Sequence, residues 1–299
     1  MRKSNVFTKH STPFLMAPYA VLFVLFIIIP IIAAIGLSFT YYNTIETPKF
    51  VGLENYLNLF TNDDVFMRYV LPNTVIYAIC IGIGGYILAF ILAWALSQIT
   101  KGPRTVLALI IYSPSMTGGV MLSTVWSVIF NGSESGYLNY ILLKFNIIDQ
   151  PIVWLSSEKH LLWIMIVVTL WSSMGIGFLS MLSGILNVNE ELYEAAYIDG
   201  VKNRFQEIIY VTIPSAKPQM LFGAVMSIVN TFQSAGIGTV LSGANPTPGY
   251  SGQLIVSHIE DYGFLRYEMG YAAAVSVVLL AGIYLMTKGV NKLLSSKDE

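Results

Sequence analysis

Two stretches of this chain contain no Asp, Glu, Lys or Arg over a length that can cross a lipid bilayer. They run from Leu161 to Asn189 and from Pro218 to Ile259. A spanning helix needs about 20 predominantly apolar residues, and further apolar runs of this length are present. Only 11% of the residues are charged, against about 25% in a soluble domain. Such runs differ from the alternating pattern of an outer-membrane barrel, so the sequence predicts an all-α integral membrane protein.

Six transmembrane helices are predicted, with a first span that is retained. Its apolar run is longer than the ~7–15 apolar residues of a cleaved signal peptide. Eleven of the 16 Lys and Arg residues lie on the side of the amino terminus, and such residues favour the cytoplasmic side. We therefore expect both terminal tails, residues 1–13 and 291–299, to be cytoplasmic. The predicted spans cover about 14–39, 72–98, 105–130, 161–186, 219–241 and 271–290.

The distribution of charged and metal-binding residues argues against several classes of function. Ion-coupled carriers and channels commonly place ionisable residues within their spans, whereas the predicted spans have none except Lys288 at an inner end. A secondary transporter or channel is therefore the alternative rather than the leading interpretation. His10, His160, His258 and the single cysteine, Cys80, do not form a metal-binding pattern. No basic patch for nucleic acid and no phosphate-binding loop for ATP is present.

Proline and glycine interrupt several of the apolar runs. In the third span, Pro114, Gly118 and Gly119 lie close together. Small residues let membrane helices approach closely, and we favour this packing role over a helix break at Pro114. The predicted outer connections, residues 40–71, 131–160 and 242–270, are expected to be solvated connectors with short helices or binding surfaces.

One connection, residues 187–218, is unusually charged and is predicted to face the cytoplasm. Asn189 is a candidate N-cap, and acidic residues after it suit the positive end of a helix dipole. Gly200 is expected to end this helix, and a second helical segment from Arg204 to Val211 is expected to stop before Pro214. The seven charged residues between Asn189 and Pro214 are Glu190, Glu191, Glu194, Asp199, Lys202, Arg204 and Glu207.

The first helix of this loop has a face of small apolar residues that ends in a carboxylate. The face consists of Leu192, Ala195, Ala196 and Asp199, at helical spacing. An amphipathic helix on the inner leaflet is one interpretation, but such helices carry Lys and Arg toward anionic lipid. Because this helix is acidic, we favour docking into a groove of another protein.

The motif EAAYIDG within this loop resembles the EAA motif of binding-protein-dependent ABC importer permeases. The matching residues are Glu194, Ala195, Ala196 and Gly200, followed by Val211, Ile213 and Pro214. Nearly the whole chain is similar to the carbohydrate-uptake branch of that family, the maltose and glycerol-phosphate type. Further segments that resemble this branch are FVGLENYLNLF, PNTVIY, TVWSVIFNGSESGYLNYIL, TLWSSMGIGFLSMLSGI and MGYAAAVSVVL.

This resemblance implies a type I ABC importer permease fold for residues 14–290, in a bacterial cell membrane and in contact with its lipid. It also implies four kinds of partner: a second homologous permease, two ATP-binding subunits, an extracytoplasmic solute-binding protein and a sugar. ATP and Mg would be bound by the ATP-binding subunits, so this chain is expected to bind no cofactor and not to be an enzyme. The residues implied in coupling to the ATPase are Glu191, Glu194, Ala195, Ala196, Asp199, Gly200 and Pro214.

A polar path for the sugar is predicted from two groups of residues in the spans. The fifth span has a stripe of Ser227, Asn230, Thr231 and Ser234. The fourth span has Thr169, Ser172 and Ser173 beside Trp171, whose ring can stack on a sugar. Hydrogen bonding between helices uses the same residue types and is the alternative. In the maltose-type permease, sugar-contacting residues lie at about these distances from the EAA motif, which favours the path.

Overall fold

The computed structural model describes residues 16–117, 119–233 and 236–294. The chain forms two compact units. One unit comprises the described residues up to Asp63 together with Ile259–Leu280, and the second comprises Asp64–His258 together with the chain from Ala281 onward.

The first unit contains helix α1 (Met16–Leu37), with a π-helical turn at Val24–Ile28, and a small hairpin of strands β1 (Thr40–Tyr41) and β2 (Lys49–Phe50). A short helix, Glu54–Leu57, follows and continues as a π-turn over Asn58–Asn62. The Asn55 side chain is buried and donates to the carbonyl oxygens of Ser38 and Thr40, at 2.9 Å each. It therefore fastens this short helix to the end of α1.

The later segment of the first unit includes the π-turn Asp261–Leu265. Arg266 pairs with the buried Asp261 at 2.7 Å and lies over the ring of Tyr262. Burial is the main cause that raises the pKa of Tyr262 to about 12, so this tyrosine is neutral at physiological pH. The Tyr271 hydroxyl donates to Asp63 at 2.6 Å, which links the two sequence segments of this unit.

The second unit is built from helices. Its longest helix, α2 (Phe66–Ser97), begins with a π-turn at Phe66–Val70. A second π-turn, Ile79–Gly84, separates its α-helical segments Leu71–Ala78 and Gly85–Ser97. The remaining labelled helices are α3 (Lys101–Tyr112), α4 (Gly119–Ile129), α5 (Leu161–Ser172), α6 (Ile176–Leu186), α7 (Glu190–Ile198), α8 (Arg204–Glu207), α9 (Lys217–Gln233), α10 (Ile237–Ser242) and α11 (Met269–Leu294), whose first half belongs to the first unit.

The predicted outer connections contain short elements, as expected. Residues 131–160 include the helix Tyr137–Lys144, and residues 242–270 include a 3-10 turn at Pro248–Tyr250 and the helix Ile255–Glu260. The buried side chain of Asn139 donates to three backbone carbonyl oxygens and accepts from Trp154 Nε1 at 2.8 Å. This network gives the 131–160 connection a defined structure.

Three helices of the described chain are long and apolar enough to cross a membrane: Met16–Leu37, Phe66–Ser97 and Met269–Lys292. Helices α5 and α6 qualify together as a fourth, with a bend of 46° between them. The two other predicted spans, 105–130 and 219–241, correspond to pairs of shorter helices, α3 with α4 and α9 with α10. The count of six spans and their orientation remain predictions.

In the third predicted span, the packing role that we favoured over a helix break at Pro114 is wrong. Helix α3 ends at Tyr112, residues Ser113–Met116 form a 3-10 turn, and α4 begins at Gly119. Pro114 lacks the N–H that would continue the helix, so the chain breaks here instead of merely packing closely. The packing role is seen elsewhere: a Cβ on Gly177 of α6 would lie 3.3 Å from the carbonyl oxygen of Gly223 on α9. These glycines let α6 and α9 approach.

Candidate functional site

The charged loop, residues 187–218, begins with a capped helix as the sequence predicts. Asn189 has an extended backbone and its Oδ1 accepts the N–H of Glu191 at 3.1 Å. Glu190 and Glu191 occupy the first turn of α7, where the helix dipole favours negative charge. Both ends of α7 are set by local sequence, because Gly200 ends the helix in the predicted place.

Gly200 has a φ of +97°, and its N–H donates to the carbonyl of Tyr197 at 3.2 Å. The N–H of Val201 donates to the carbonyl of Ala196 at 2.9 Å, which completes a Schellman C-cap. A Cβ at Gly200 would meet no atom within 4 Å. Glycine is therefore required here for its backbone conformation and not for lack of space.

The predicted small face of α7 is largely open to solvent. Leu192, Ala195 and Asp199 are exposed, as are Glu191 and Glu194. The fourth residue of this face, Ala196, is half-buried and borders a depression of about 390 Å³. The described residues around that depression are Ala196, Asp199, Gly200, Val201, Gln206, Tyr210 and Val211.

Large apolar side chains on the same loop are exposed, and the sequence analysis missed them. Ile198 is 88% exposed, Phe205 70% and Tyr210 67%. We call these three residues, which lie close together in the sequence, the apolar patch. Their signal in the sequence was their position in a segment otherwise dominated by charge. Exposed apolar groups with a polar rim are typical of interaction sites.

The second segment of the loop differs from its prediction. After α8 the chain forms a π-turn at Ile208–Thr212 and then a helical turn at Ile213–Ser215 that includes Pro214. Helical structure therefore does not stop before Pro214. A proline is tolerated in the first turn of a new helical segment because its missing N–H has no partner to lose there.

Two tyrosines of α7 contact this second segment. The hydroxyls of Tyr193 and Thr212 are hydrogen-bonded at 3.2 Å, and the Tyr197 hydroxyl donates to Glu207 Oε2 at 3.5 Å. Glu207 is only 5% exposed and accepts two bonds from Arg204 Nη1, at 2.9 and 2.7 Å. The hydrogen bond to Glu207, followed by its charge, raises the pKa of Arg204, so the Arg204 guanidinium stays protonated at physiological pH.

A second candidate site is a polar pocket of about 410 Å³ within the predicted spans. It lies where α3 ends in a 3-10 turn and where α5 gives way to α6 at Ser173–Gly175. A Cβ on Gly175 would lie 3.7 Å from Ser115 Oγ and 3.8 Å from Asn230 Nδ2, so three helices meet at this point. The residues lining the pocket are Tyr112, Ser115, Thr117, Thr169, Ser172, Ser173, Gly175, Ile176, Met226 and Asn230.

The predicted stripe on the fifth span is divided between two environments. Asn230 lines the pocket together with Met226, one turn before it. Ser227 instead donates to the carbonyl oxygen of Gly82 on α2 at 2.9 Å, and Thr231 is buried and donates to the carbonyl of Ser227 at 2.8 Å. The fourth residue of the stripe, Ser234, lies outside the described residues.

The fourth-span residues are also divided. Thr169, Ser172 and Ser173 line the pocket, and Thr169 Oγ1 is additionally hydrogen-bonded to the Tyr77 hydroxyl at 2.8 Å. Trp171 does not line it. Its ring is 48% exposed and packs edge-on against Trp126, with ring centroids 5.4 Å apart.

Sequence reasoning missed Tyr112, Ser115 and Thr117 as pocket residues. Their signal was their position beside Pro114, Gly118 and Gly119, for which we favoured a packing role. The described residues include no cluster of three His, Cys, Asp or Glu side chains able to hold a metal ion. All described residues that line the pocket are uncharged, so it offers hydroxyl and amide groups to a neutral polar molecule.

The chain is similar to known proteins over nearly its whole length. The chain is 32% identical to the arabinooligosaccharides transport system permease protein AraP of Bacillus subtilis, over 94% of this chain and 88% of AraP. It is 28% identical to the lactose transport system permease protein LacF of Rhizobium radiobacter, over 91% of this chain and 90% of LacF.

A solved structure supports the fold. It is a bacterial ABC transporter involved in the import of the acidic polysaccharide alginate, and one of its chains matches this one with a TM-score of 0.79 at 20% identity, over 99% of this chain and 100% of that chain. Residues 85–297 match the family model described as binding-protein-dependent transport system inner membrane component. Together with the relative at 32% identity, this match shows that the chain belongs to the family of binding-protein-dependent transport system inner membrane components.

Proposed function

We propose that this chain is a permease subunit of an ATP-driven importer for a neutral sugar or oligosaccharide. The observation that carries the proposal is the polar pocket, whose described lining has hydroxyl and amide groups but no charge. Its volume of about 410 Å³ falls within the ~300–1,000 Å³ of small-molecule sites. The sugar-transport functions named for AraP and LacF support the same class of substrate.

Electrostatics supports the proposal that the substrate is neutral. An unpaired carboxylate costs several kcal/mol to remove from water, and the described lining of the pocket has no Lys or Arg to compensate for it. A uronate-containing oligosaccharide, such as a piece of the alginate named for the structural neighbour, would therefore bind poorly. Hydroxyl groups of a neutral sugar can instead pair with Ser172, Ser173 and Asn230.

The energy for import would come from partner subunits. In our proposal the charged loop faces the cytoplasm and docks its acidic helix α7 and the apolar patch onto an ATP-binding subunit, which hydrolyses ATP with Mg. A second permease would complete the membrane pathway, and an extracytoplasmic binding protein would deliver the sugar. The exposed Glu191, Glu194 and Asp199 suit a groove of opposite charge.

Uptake by the purified complex in proteoliposomes tests this function. With ATP inside and binding protein outside, we expect ATP-dependent accumulation of a neutral pentose or hexose oligosaccharide. Preferential uptake of uronate oligosaccharides, or uptake driven by an ion gradient without ATP, would contradict the proposal. The isolated chain serves as the control and should show no ATPase activity.

The proposed orientation is tested by cysteine labelling in intact cells. In a Cys80→Ser background, an impermeant reagent should label Asn131→Cys from outside and should not label Lys292→Cys until the membrane is opened. Labelling of Lys292→Cys in sealed cells would reverse the orientation.

A further inference from the structure

Helix α7 is held to the remainder of the charged loop through one of its faces. Tyr193 and Tyr197 are four residues apart and so lie on the same side of the helix. Each places its hydroxyl against the segment that follows, Tyr193 at Thr212 and Tyr197 at Glu207. The exposed residues Glu194 and Ala195 lie away from this contact and remain available for a partner.

The groups that receive these tyrosines are themselves fixed. Thr212 is fully buried, and its hydroxyl also contacts the carbonyl oxygen of Glu207 at 3.4 Å. Glu207 is held by the two hydrogen bonds from Arg204. The tyrosines therefore contact groups that are buried and hydrogen-bonded within the loop.

The segment that contains these groups leads directly into the helix that carries Asn230. Thr212 ends the π-turn, the fully buried Ala216 follows after one helical turn, and α9 begins at Lys217. Lys217 and Asn230 are separated by about 20 Å along α9, at 1.5 Å per residue. A displacement of α7 at its tyrosines would therefore move the first residues of α9, and the far end of α9 carries Asn230 in the polar pocket.

The helices of the loop do not need these tyrosine contacts in order to form. Asn189 and Gly200 cap α7, and the Asn203 side chain accepts the N–H of Gln206 to cap α8. Local capping therefore fixes each helix, whereas the tyrosines fix the orientation of α7 relative to the π-turn. A fixed orientation between α7 and the π-turn allows movement of one to be passed to the other.

We propose, building on the function proposed above, that the Tyr193–Thr212 contact is a strut that passes movement of α7 to α9 and thereby couples the ATPase to the polar pocket. Tyr193 and Thr212 are positioning residues in this scheme. Neither needs to touch the sugar or the ATP-binding subunit. Tyr197 and Glu207 steady the same contact.

The first test measures sugar imported per ATP hydrolysed by the reconstituted complex. Tyr193→Phe and Thr212→Val each remove one hydroxyl with little change in shape. We expect either to lower this ratio roughly twofold to tenfold, the factor by which one neutral hydrogen bond shifts an equilibrium. Thr212→Ser keeps the hydroxyl and should restore the ratio, and the double variant should fall no further than either single variant.

Tyr140→Phe, in the outer helix Tyr137–Lys144, is the control for loss of a tyrosine hydroxyl and should leave the ratio unchanged. Co-purification of the ATP-binding subunits shows that each complex has assembled. An unchanged ratio in both Tyr193→Phe and Thr212→Val would overturn the strut, as would a double variant whose defect is the sum of the two.

A second measurement does not depend on transport. Spin labels at Glu190→Cys on α7 and Phe222→Cys on α9, in a Cys80→Ser background, report the distance between the two helices in the full chain in nanodiscs. We expect a narrow distribution with Tyr193 and a broader one with Tyr193→Phe. Equal widths would overturn the strut even if sugar import is observed, whereas absence of import with the expected broadening would count against the proposed function alone.

Discussion

The charged loop and the polar pocket have opposite relations to their surroundings. In the loop, which we place in the cytoplasm, Ile198, Phe205 and Tyr210 are exposed although water disfavours them. In the pocket, which lies among apolar helices, Ser115, Ser173 and Asn230 line a cavity although lipid disfavours them. Each region therefore presents groups that its own medium does not favour.

This inversion indicates that each region is completed by something outside the chain. An apolar surface in water is stabilised when a protein covers it, and a polar cavity in a membrane is stabilised when water or a polar solute fills it. The same comparison explains why the two regions tolerate change differently. The loop depends on backbone conformation, and the pocket depends on individual hydrogen-bonding groups.

The largest effect is expected from a change in the loop backbone. Gly200→Val places a β-branched residue at a φ of +97°, which costs about 1–3 kcal/mol and should unwind the end of α7. Because this strain changes the shape of the loop, we expect substrate-stimulated ATP hydrolysis by the complex to fall roughly tenfold or more. Gly200→Asn, which tolerates a positive φ better, is the matched control. Wild-type stimulation in Gly200→Val would show that the shape of the loop does not matter.

A smaller effect is expected in the pocket. Asn230→Leu keeps the approximate size of the side chain but removes its hydrogen-bonding groups. A lost hydrogen bond of about 0.5–1.5 kcal/mol should raise the KM for sugar uptake roughly twofold to tenfold. ATPase assembly, followed by co-purification, should be unaffected. If the KM does not change, the sugar is held by the partner permease and not by this pocket.

The smallest effect is expected from a change at Ser227, which lies on α9 but does not line the pocket. Ser227→Ala removes the hydrogen bond to Gly82, a contact between helices that contributes about 0.6 kcal/mol on average in membranes. Thermal unfolding should shift slightly, and the KM for uptake should stay at the wild-type value. A Ser227→Ala variant with the uptake defect of Asn230→Leu would mean that the stripe acts as a single surface.

Features with local causes could be predicted from the sequence. The Asn189 side chain determines the start of α7 and the Gly200 backbone determines its end. Both roles can therefore be predicted from a short segment of sequence. The matching motifs likewise identified the permease family, because they are short patterns of adjacent residues.

Features with distant causes could not be predicted in the same way. Helical spacing places Ser227, Asn230 and Thr231 on one broad face, but it does not reveal that the carbonyl of Gly82, on another helix, accepts from Ser227. Ser115 and Thr117 reach the pocket only because α3 breaks at Pro114 beside α5 and α9. The exposure of Ile198 and Phe205 also depends on how α7 folds back on the π-turn, which no single segment encodes.

The apolar patch also bears on how cells must make this protein. Under the proposed function, a copy synthesised without ATP-binding subunits would display Ile198, Phe205 and Tyr210 to the cytoplasm, where such surfaces attract chaperones, proteases and one another. Surplus permease would therefore be removed or would aggregate, whereas an assembled copy is protected. The proposal therefore predicts balanced production of the subunits and a short lifetime for orphaned copies, because these three side chains are exposed.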